Sequence, residues 1–346
     1  MNTEDLITLN EEIAGMARAG LPLDQGLAAL AREMGKGRLQ AVTARIAADL
    51  SAGHTLPQAI ERQADRVPPY YASLVAAGVR SGRISEVLST LTTYARSIAD
   101  LRSTVVSAVF YPGVVLLFAF GLFAFFCYFI LPQFDLLFKQ FNMQLPGLTS
   151  FVLVISRHPM EILVLPALAI LIEIVLLKVI LRFTQRGRRA WARFVYMIPI
   201  VGTLVRSTRL AAFSDLLGIL VDHGLPLPEA FRLAGEASSD PILAAAAQQV
   251  ERDLSQGLPL GRVLRDRRLV PELIAWITGL GEQRGTLGSA LHQVAEVYRR
   301  QVEMRATLLR NVLPPFLIIA TAGVLVGLFV FTIMMPMYRL LEGLSK

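Results

Sequence analysis

Cysteine is almost absent from this 346-residue chain. Cys127 stands alone, which excludes a disulfide framework and any zinc site built on thiolates. It lies in an apolar run, so a packing role is expected for it. Histidine is scarce as well. His54, His158, His223 and His292 form no HExxH pair, and solvated or capping roles are expected of them. Charge is thin, at 18% of residues against about 25% in soluble domains. Phosphate-binding loops are missing: Gly35-Lys36-Gly37 lacks the upstream glycine and the following Ser or Thr, and Gly279-Leu280-Gly281-Glu282-Gln283-Arg284-Gly285 has the wrong spacing for a dinucleotide loop. No serine sits in a G-x-S-x-G elbow. No catalytic residue, cofactor site or metal site is therefore expected, and an enzyme is not expected.

What the chain has in abundance is apolar sequence, 54% of residues, with a mean hydropathy of +0.52. That excludes disorder and points to a membrane. About 20 apolar residues cross a bilayer core of about 30 Å. Ser103 to Phe134 and Asn311 to Tyr338 are uncharged throughout, and Ile162 to Leu181 is apolar apart from Glu173 and Lys178. Core helices rarely stay uncharged for so long, so the outer two runs are the clearer spans.

Arg and Lys positions orient the spans. Residues 182–193 carry Arg182, Arg186, Arg188, Arg189 and Arg193 with no acid, whereas residues 132–160 carry only Lys139 and Arg157. Residues 1–104 and 182–310 are thus expected in the cytoplasm. Asn2-Thr3-Glu4-Asp5 offers no basic stretch before an apolar core, so no signal peptide is expected. The net charge of +7 is local. Residues 1–104 balance 11 basic against 11 acidic groups, and residues 182–310 hold 18 against 12. An excess placed beside a span fits positive-inside topology and anionic lipid better than nucleic acid.

The two cytoplasmic segments repeat each other. Gly20-Leu21-Pro22-Leu23 returns as Gly224-Leu225-Pro226-Leu227, and Asp49-Leu50-Ser51-Ala52-Gly53 as Asp253-Leu254-Ser255-Gln256-Gly257. Val67-Pro68 returns as Val270-Pro271; Gly78, Gly82 and Leu88 as Gly281, Gly285 and Leu291; Pro112 as Pro315; Pro132 as Pro336. A dozen ordered matches at nearly constant offset mean duplication. Each copy reads as helical. Leu6, Leu9, Ile13, Met16 and Ala17 build one apolar face, as do Leu210, Phe213, Leu217 and Leu220. Breaks are predicted at Gly20, Gly53, Val67-Pro68-Pro69 and Gly82, since glycine ends helices and proline opens them.

The expected fold is all-α: a polytopic membrane protein with two repeated cytoplasmic helical bundles and three transmembrane helices. The boundaries are 1–104 (first repeat), 105–131 (first span), 132–160 (periplasmic loop), 161–182 (second span), 183–311 (basic juxtamembrane segment and second repeat), 312–335 (third span) and 336–346 (periplasmic tail). Both copies point the same way, unlike those of inverted-repeat transporters.

A few residues stand out within that frame. Glu173 lies near the centre of the middle span, where a carboxylate costs about 3 kcal/mol on insertion scales, and suggests an interhelical contact. Arg262, Arg265, Arg267 and Arg268 cluster near Asp266 as a solvated face, or as a docking patch for an acidic partner. Pro112, Pro166, Pro314 and Pro315 kink or start the span helices. Tyr111 and Tyr338 suit an interface with lipid headgroups.

These residues also carry a family resemblance. The chain is similar, over about residues 6–338, to the inner-membrane platform proteins of type II secretion systems and type IV pili, the GspF/PilC family. The resemblance rests on Ala19-Gly20-Leu21-Pro22-Leu23 and Gly224-Leu225-Pro226-Leu227, and on the turns at Gly53-His54-Thr55-Leu56 and Gly257-Leu258-Pro259-Leu260. It rests also on Gly281-Glu282-Gln283-Arg284-Gly285-Thr286-Leu287, on Tyr111-Pro112, on Leu145-Pro146-Gly147-Leu148-Thr149 and on Pro199-Ile200-Val201-Gly202. Copy one departs from the pattern, with Val79 where copy two has Glu282. The first copy also begins almost at Met1, without the N-terminal extension of longer family members. The resemblance implies a non-enzymatic scaffold in the bacterial inner membrane with a cytoplasmic N-terminus. Its implied partners are a cytoplasmic assembly ATPase, pilin-like subunits, other inner-membrane assembly proteins and further copies of itself; nucleic acid is not among them. On the residues alone, a transporter subunit or a membrane sensor that binds lipid remains open.

Overall fold

The computed structural model describes residues 3–130, 132–133, 185–198, 200–238, 240–266 and 272–330, with the isolated positions 165, 169, 172–173, 176, 334 and 338. The loop holding Pro146 and Thr149, most of the expected middle span, and Arg267 and Arg268 lie outside the described residues.

Every regular element among the described residues is a helix. The first six are α1 (Thr3–Arg18), α2 (Leu23–Glu33), α3 (Arg38–Ser51), α4 (Leu56–Glu61), α5 (Pro69–Ser81) and α6 (Ile84–Phe125), which a π turn extends over Phe126–Ile130. After α7 (Gln185–Met197) come α8 (Val201–Asp222), α9 (Leu227–Ala237), α10 (Pro241–Ser255), α11 (Leu260–Asp266), α12 (Glu272–Arg284), α13 (Leu287–Asn311) and α14 (Leu313–Phe329). The helix boundaries follow the offset of the sequence repeat. α2 returns 204 positions on as α9, and α5 returns 203 on as α12.

The same turns end the same helices in both copies. Glycines with positive φ are Gly20 and Gly224, Gly53 and Gly257, and Gly82 and Gly285 among the described residues. At Gly20 the Leu21 N–H donates to the Met16 carbonyl at 3.0 Å, and the Gly20 N–H to that of Ala17 at 3.3 Å. Leu225 and Gly224 repeat the pattern onto Leu220 and Val221. This is the left-handed cap that a residue without Cβ makes at little steric cost. Pro22 and Pro226, at φ −62° and −56°, then open α2 and α9.

The chain divides into two compact units, one of residues 1–105 and 192–303, the other of residues 106–191 and 304–346. In the first unit one apolar core cluster draws on both copies. Leu9, Ile13, Leu27, Ile46 and Leu74 from copy one join Leu216, Leu220, Phe231, Val250 and Leu260 from copy two. The copies touch where α5 meets α9. Buried Tyr94 on α6 donates its hydroxyl to the Ala212 carbonyl at 3.3 Å.

Among the described residues, the helical stretches Ile84–Ile130 and Leu287–Phe329 are two that are long and apolar enough to cross a membrane. Leu117, Phe118, Phe316 and Ile319 are exposed there, a density of large apolar side chains that water does not favour. Phe126 and Cys127 are buried against Leu325 and Leu328, the packing role expected of that cysteine. The two proline sites differ. α6 runs unbroken through Pro112. In copy two, Pro314 and Pro315 together remove two N–H donors, and the helix restarts after Val312.

Candidate functional site

α6 and α13 are the last helices of the two copies, and each leads toward an apolar segment. The polar groups that hold them are shared between copies. On α13, Arg299 Nη2 reaches Asp215 Oδ2 of α8 at 3.3 Å and also donates to the Ser97 hydroxyl of α6. One repeat earlier, Arg96 of α6 pairs with Glu11 of α1. The offsets are 203 for the arginines and 204 for the acids, so the two copies tie first helix to last helix at equivalent positions.

Copy two adds a histidine clamp. His292 Nδ1 lies 2.9 Å from Asp215 Oδ1, and Nε2 lies 3.1 Å from Asp222 Oδ2. Its pKa is raised above the ordinary 6.5, first by the bond to Asp215, against a partial opposing effect of burial. Glycines make the room. A Cβ at Gly218 would stand 3.0 Å from the imidazole, and one at Gly288 would collide with the Asp222 carboxylate. His292 is thus half-buried and bridges α13 to α8 rather than capping a helix. In copy one its position is Ser89.

The acid of the second copy has an assignable task. Glu282 Oε1 accepts the Leu260 N–H at 2.9 Å, and Oε2 the Gly261 N–H at 3.3 Å. The residue before α11 is Pro259, which cannot cap by a side chain, so Glu282 satisfies donors left orphaned at the start of that helix. Copy one does this locally. Thr55 and Gln58 form a capping box at α4, and the Thr55 N–H donates to Gln58 Oε1 at 2.9 Å. Val79 in copy one therefore leaves no helix end uncapped. The glycines around Glu282 serve close packing: a Cβ on Gly261 would come within 2.8 Å of Gly279 Cα, and one on Gly281 within 2.6 Å of Ala290 Cβ.

A third cluster fixes α7 to the second copy. Asp240, buried at the N-terminus of α10, accepts the Ile242 N–H at 2.9 Å, the Tyr196 hydroxyl, and Arg209 at 3.2 Å. Burial, then the Asp240 hydrogen bond, pushes the Tyr196 phenol up to about 12 against the lowering effect of Arg209. The turn between α7 and α8 is strained: Ile200 has φ 65°, a conformation a β-branched residue rarely takes. A Cβ at Gly202 would meet the Tyr196 carbonyl oxygen at 2.5 Å.

The remaining residues singled out in the sequence scatter. Arg262 pairs with Asp266 at 3.7 Å. With Arg265, Trp276 and Glu282 they line a groove of about 490 Å³. Tyr111 and Tyr338 are exposed, Pro112 is buried within α6, and Glu173 is helical and exposed. Among the described residues no group of three or more His, Cys, Asp and Glu is placed to hold a metal. The structure singles out Asp215, His292, Arg299, Tyr196 and Asp240 beyond those residues. Aligning Glu11 with Asp215 and Arg96 with Arg299 by the repeat would have flagged the first pair; nothing local flags the others.

Two arginine–acid pairs at nearly the same offset describe a duplicated module, and comparison with known proteins finds the same module twice. The family model for type II secretion system (T2SS), protein F, matches residues 11–132 and again 213–336. The type IV pilus assembly protein TapC of Aeromonas hydrophila is 29% identical, covering 97% of this chain and 81% of that protein. The type IV pilus assembly protein PilC of Thermus thermophilus is 29% identical over 99% of this chain and 84% of its own length. The type II secretion system protein F of Vibrio cholerae is 26% identical over 96% and 82%. With two matched copies that together span well over half of its length, the chain belongs to the type II secretion system protein F family.

Proposed function

We propose that this chain is the inner-membrane platform of a type II secretion or type IV pilus machine, and that it passes motion from a cytoplasmic assembly ATPase to pilin-like subunits leaving the membrane. The chain itself performs no covalent chemistry in this reading. Residues 1–104 and 183–311 are cytoplasmic helical domains, residues 105–131, 161–182 and 312–335 are spans, and the N-terminus is cytoplasmic. The 132–160 loop and the tail from 336 lie on the far side of the membrane. Other inner-membrane assembly proteins and further copies of the chain complete the platform. Gly20, Pro22, Gly224, Pro226, Gly82 and Gly285 act as rigid turns, and Glu173 as a contact to a neighbouring helix.

One observation carries the reading: Arg299 bonds both Asp215 of its own copy and Ser97 on the last helix of the other. α6 and α13 are thereby joined, so a tilt imposed on either bundle reaches both helices that lead toward the spans. The test is crosslinked purification of the tagged chain from its native membranes, with mass spectrometry of what accompanies it. The expected companions are a secretion ATPase and pilin-like proteins. A clean preparation with neither would overturn the proposal.

A further inference from the structure

The exposed side of α7 mixes charge and grease in a way that a solvated helix does not. Arg189 and Arg193 lie on it at a spacing of four, and Met197 follows at the same spacing, 81% exposed. Phe194 and Ile198 are exposed beside them, with Ile200 just beyond. Arg188 is exposed too. On the other side of the helix Ala192 is buried and Tyr196 is held by Asp240. Residues 182–198 hold five arginines and no acid. A basic flank next to an apolar flank on one exposed face is the profile of a helix lying at a bilayer surface.

We infer that α7 is an anionic-phospholipid binding site: Arg189 and Arg193 pair with headgroup phosphates while Met197, Phe194 and Ile198 enter the acyl boundary. Nucleic acid offers the same phosphates but no place for Met197 and Phe194, and an acidic protein would not need a strip that follows directly on the apolar segment 162–181. The inference rests on the proposed reading of that segment as a span. The Tyr196–Asp240–Arg209 cluster then has a purpose, because it ties the C-terminal end of α7 to α8 and α10.

The chain has two tryptophans, and Trp276 is 56% exposed. The combined change Trp191→Phe, Trp276→Phe and Ala190→Trp therefore leaves a single reporter on the exposed side of α7. The full chain carrying this change is placed in lipid nanodiscs that hold an equal fraction of brominated phosphatidylglycerol or of brominated phosphatidylcholine. Bromine quenches tryptophan on contact. The expected result is stronger quenching by the anionic lipid. The preference should fall roughly fivefold for each arginine neutralised in Arg189→Gln and Arg193→Gln. It should also collapse at ~1 M salt, where the Debye length is about 3 Å. Equal quenching by both lipids, or a preference unchanged in the double variant, overturns headgroup recognition. Quenching by neither lipid, with the chain retained in the disc, overturns the site alone and points to a protein partner. Failure to enter the disc overturns the span reading along with it.

Discussion

Arg299 and Asp215 meet at 3.3 Å where, one repeat earlier, Arg96 meets Glu11. The later pair is less exposed, with the Arg299 side chain at 34% against 62% for Arg96, and it alone adds a bond to the opposite copy through Ser97. Arg299→Ala is therefore expected to destabilise the purified full chain by about 1.5–3 kcal/mol, the range for bonds to charged groups. Arg96→Ala should cost less than about 1 kcal/mol, as exposed pairs do. Denaturant midpoints of the two variants in detergent check the order, and equal losses would contradict it.

The histidine clamp makes stability depend on pH in one direction. The folded pKa of His292 is raised above 6.5. Its contribution is thus complete below about pH 6.5 and disappears as pH rises through the raised value. Wild type should lose stability across that window, and His292→Asn should flatten the profile. A variant whose pH profile matches wild type would show that the clamp contributes nothing.

Glu282 carries a cap that Pro259 cannot make. Glu282→Val leaves the Leu260 and Gly261 N–H groups without their acceptor, at a cost of about 1–3 kcal/mol. Hydrogen exchange at those two amides should accelerate with it. The reciprocal change, Val79→Glu, should stay within about 0.5 kcal/mol, because Thr55 and Gln58 already cap α4. A large gain from Val79→Glu would show that α4 lacks a cap.

The α7–α8 turn predicts opposite signs for neighbouring residues. Gly202→Ala drives a Cβ to 2.5 Å from the Tyr196 carbonyl oxygen, and backbone must move to relieve it, at a cost of more than about 2 kcal/mol. Ile200→Gly removes a positive-φ strain of about 1–3 kcal/mol but loosens the unfolded chain, so stability should hold or rise by up to about 1 kcal/mol. Thermal unfolding of the two variants separates the cases. A marked loss in Ile200→Gly would mean that the Ile200 side chain matters more than its backbone.

Much of the fold is written in local pattern. Gly20, Gly53 and Gly82 and their repeats were legible as helix ends because a left-handed cap needs only a residue without Cβ and a carbonyl a few positions back. The apolar runs were legible because a span is decided by length and composition. The duplication was legible because homologous turns keep their spacing. One reading changed: His292, expected to be solvated or to cap a helix, bridges Asp215 and Asp222.

What the sequence by itself determined, then, is which segments are helical and where they turn, since both depend on neighbours within about one helical turn, and that they occur twice, since the turns keep their spacing. Only the tertiary structure decided which side chains do the joining. Glu282 reaches Leu260 across 22 positions and Arg299 reaches Ser97 across 202. Such contacts depend on helices brought together by the shared apolar core, and on glycines at 218 and 288 that clear space for groups far away in the chain. Burial then gives these few polar bonds their weight, because a donor left unpaired there cannot turn to water instead.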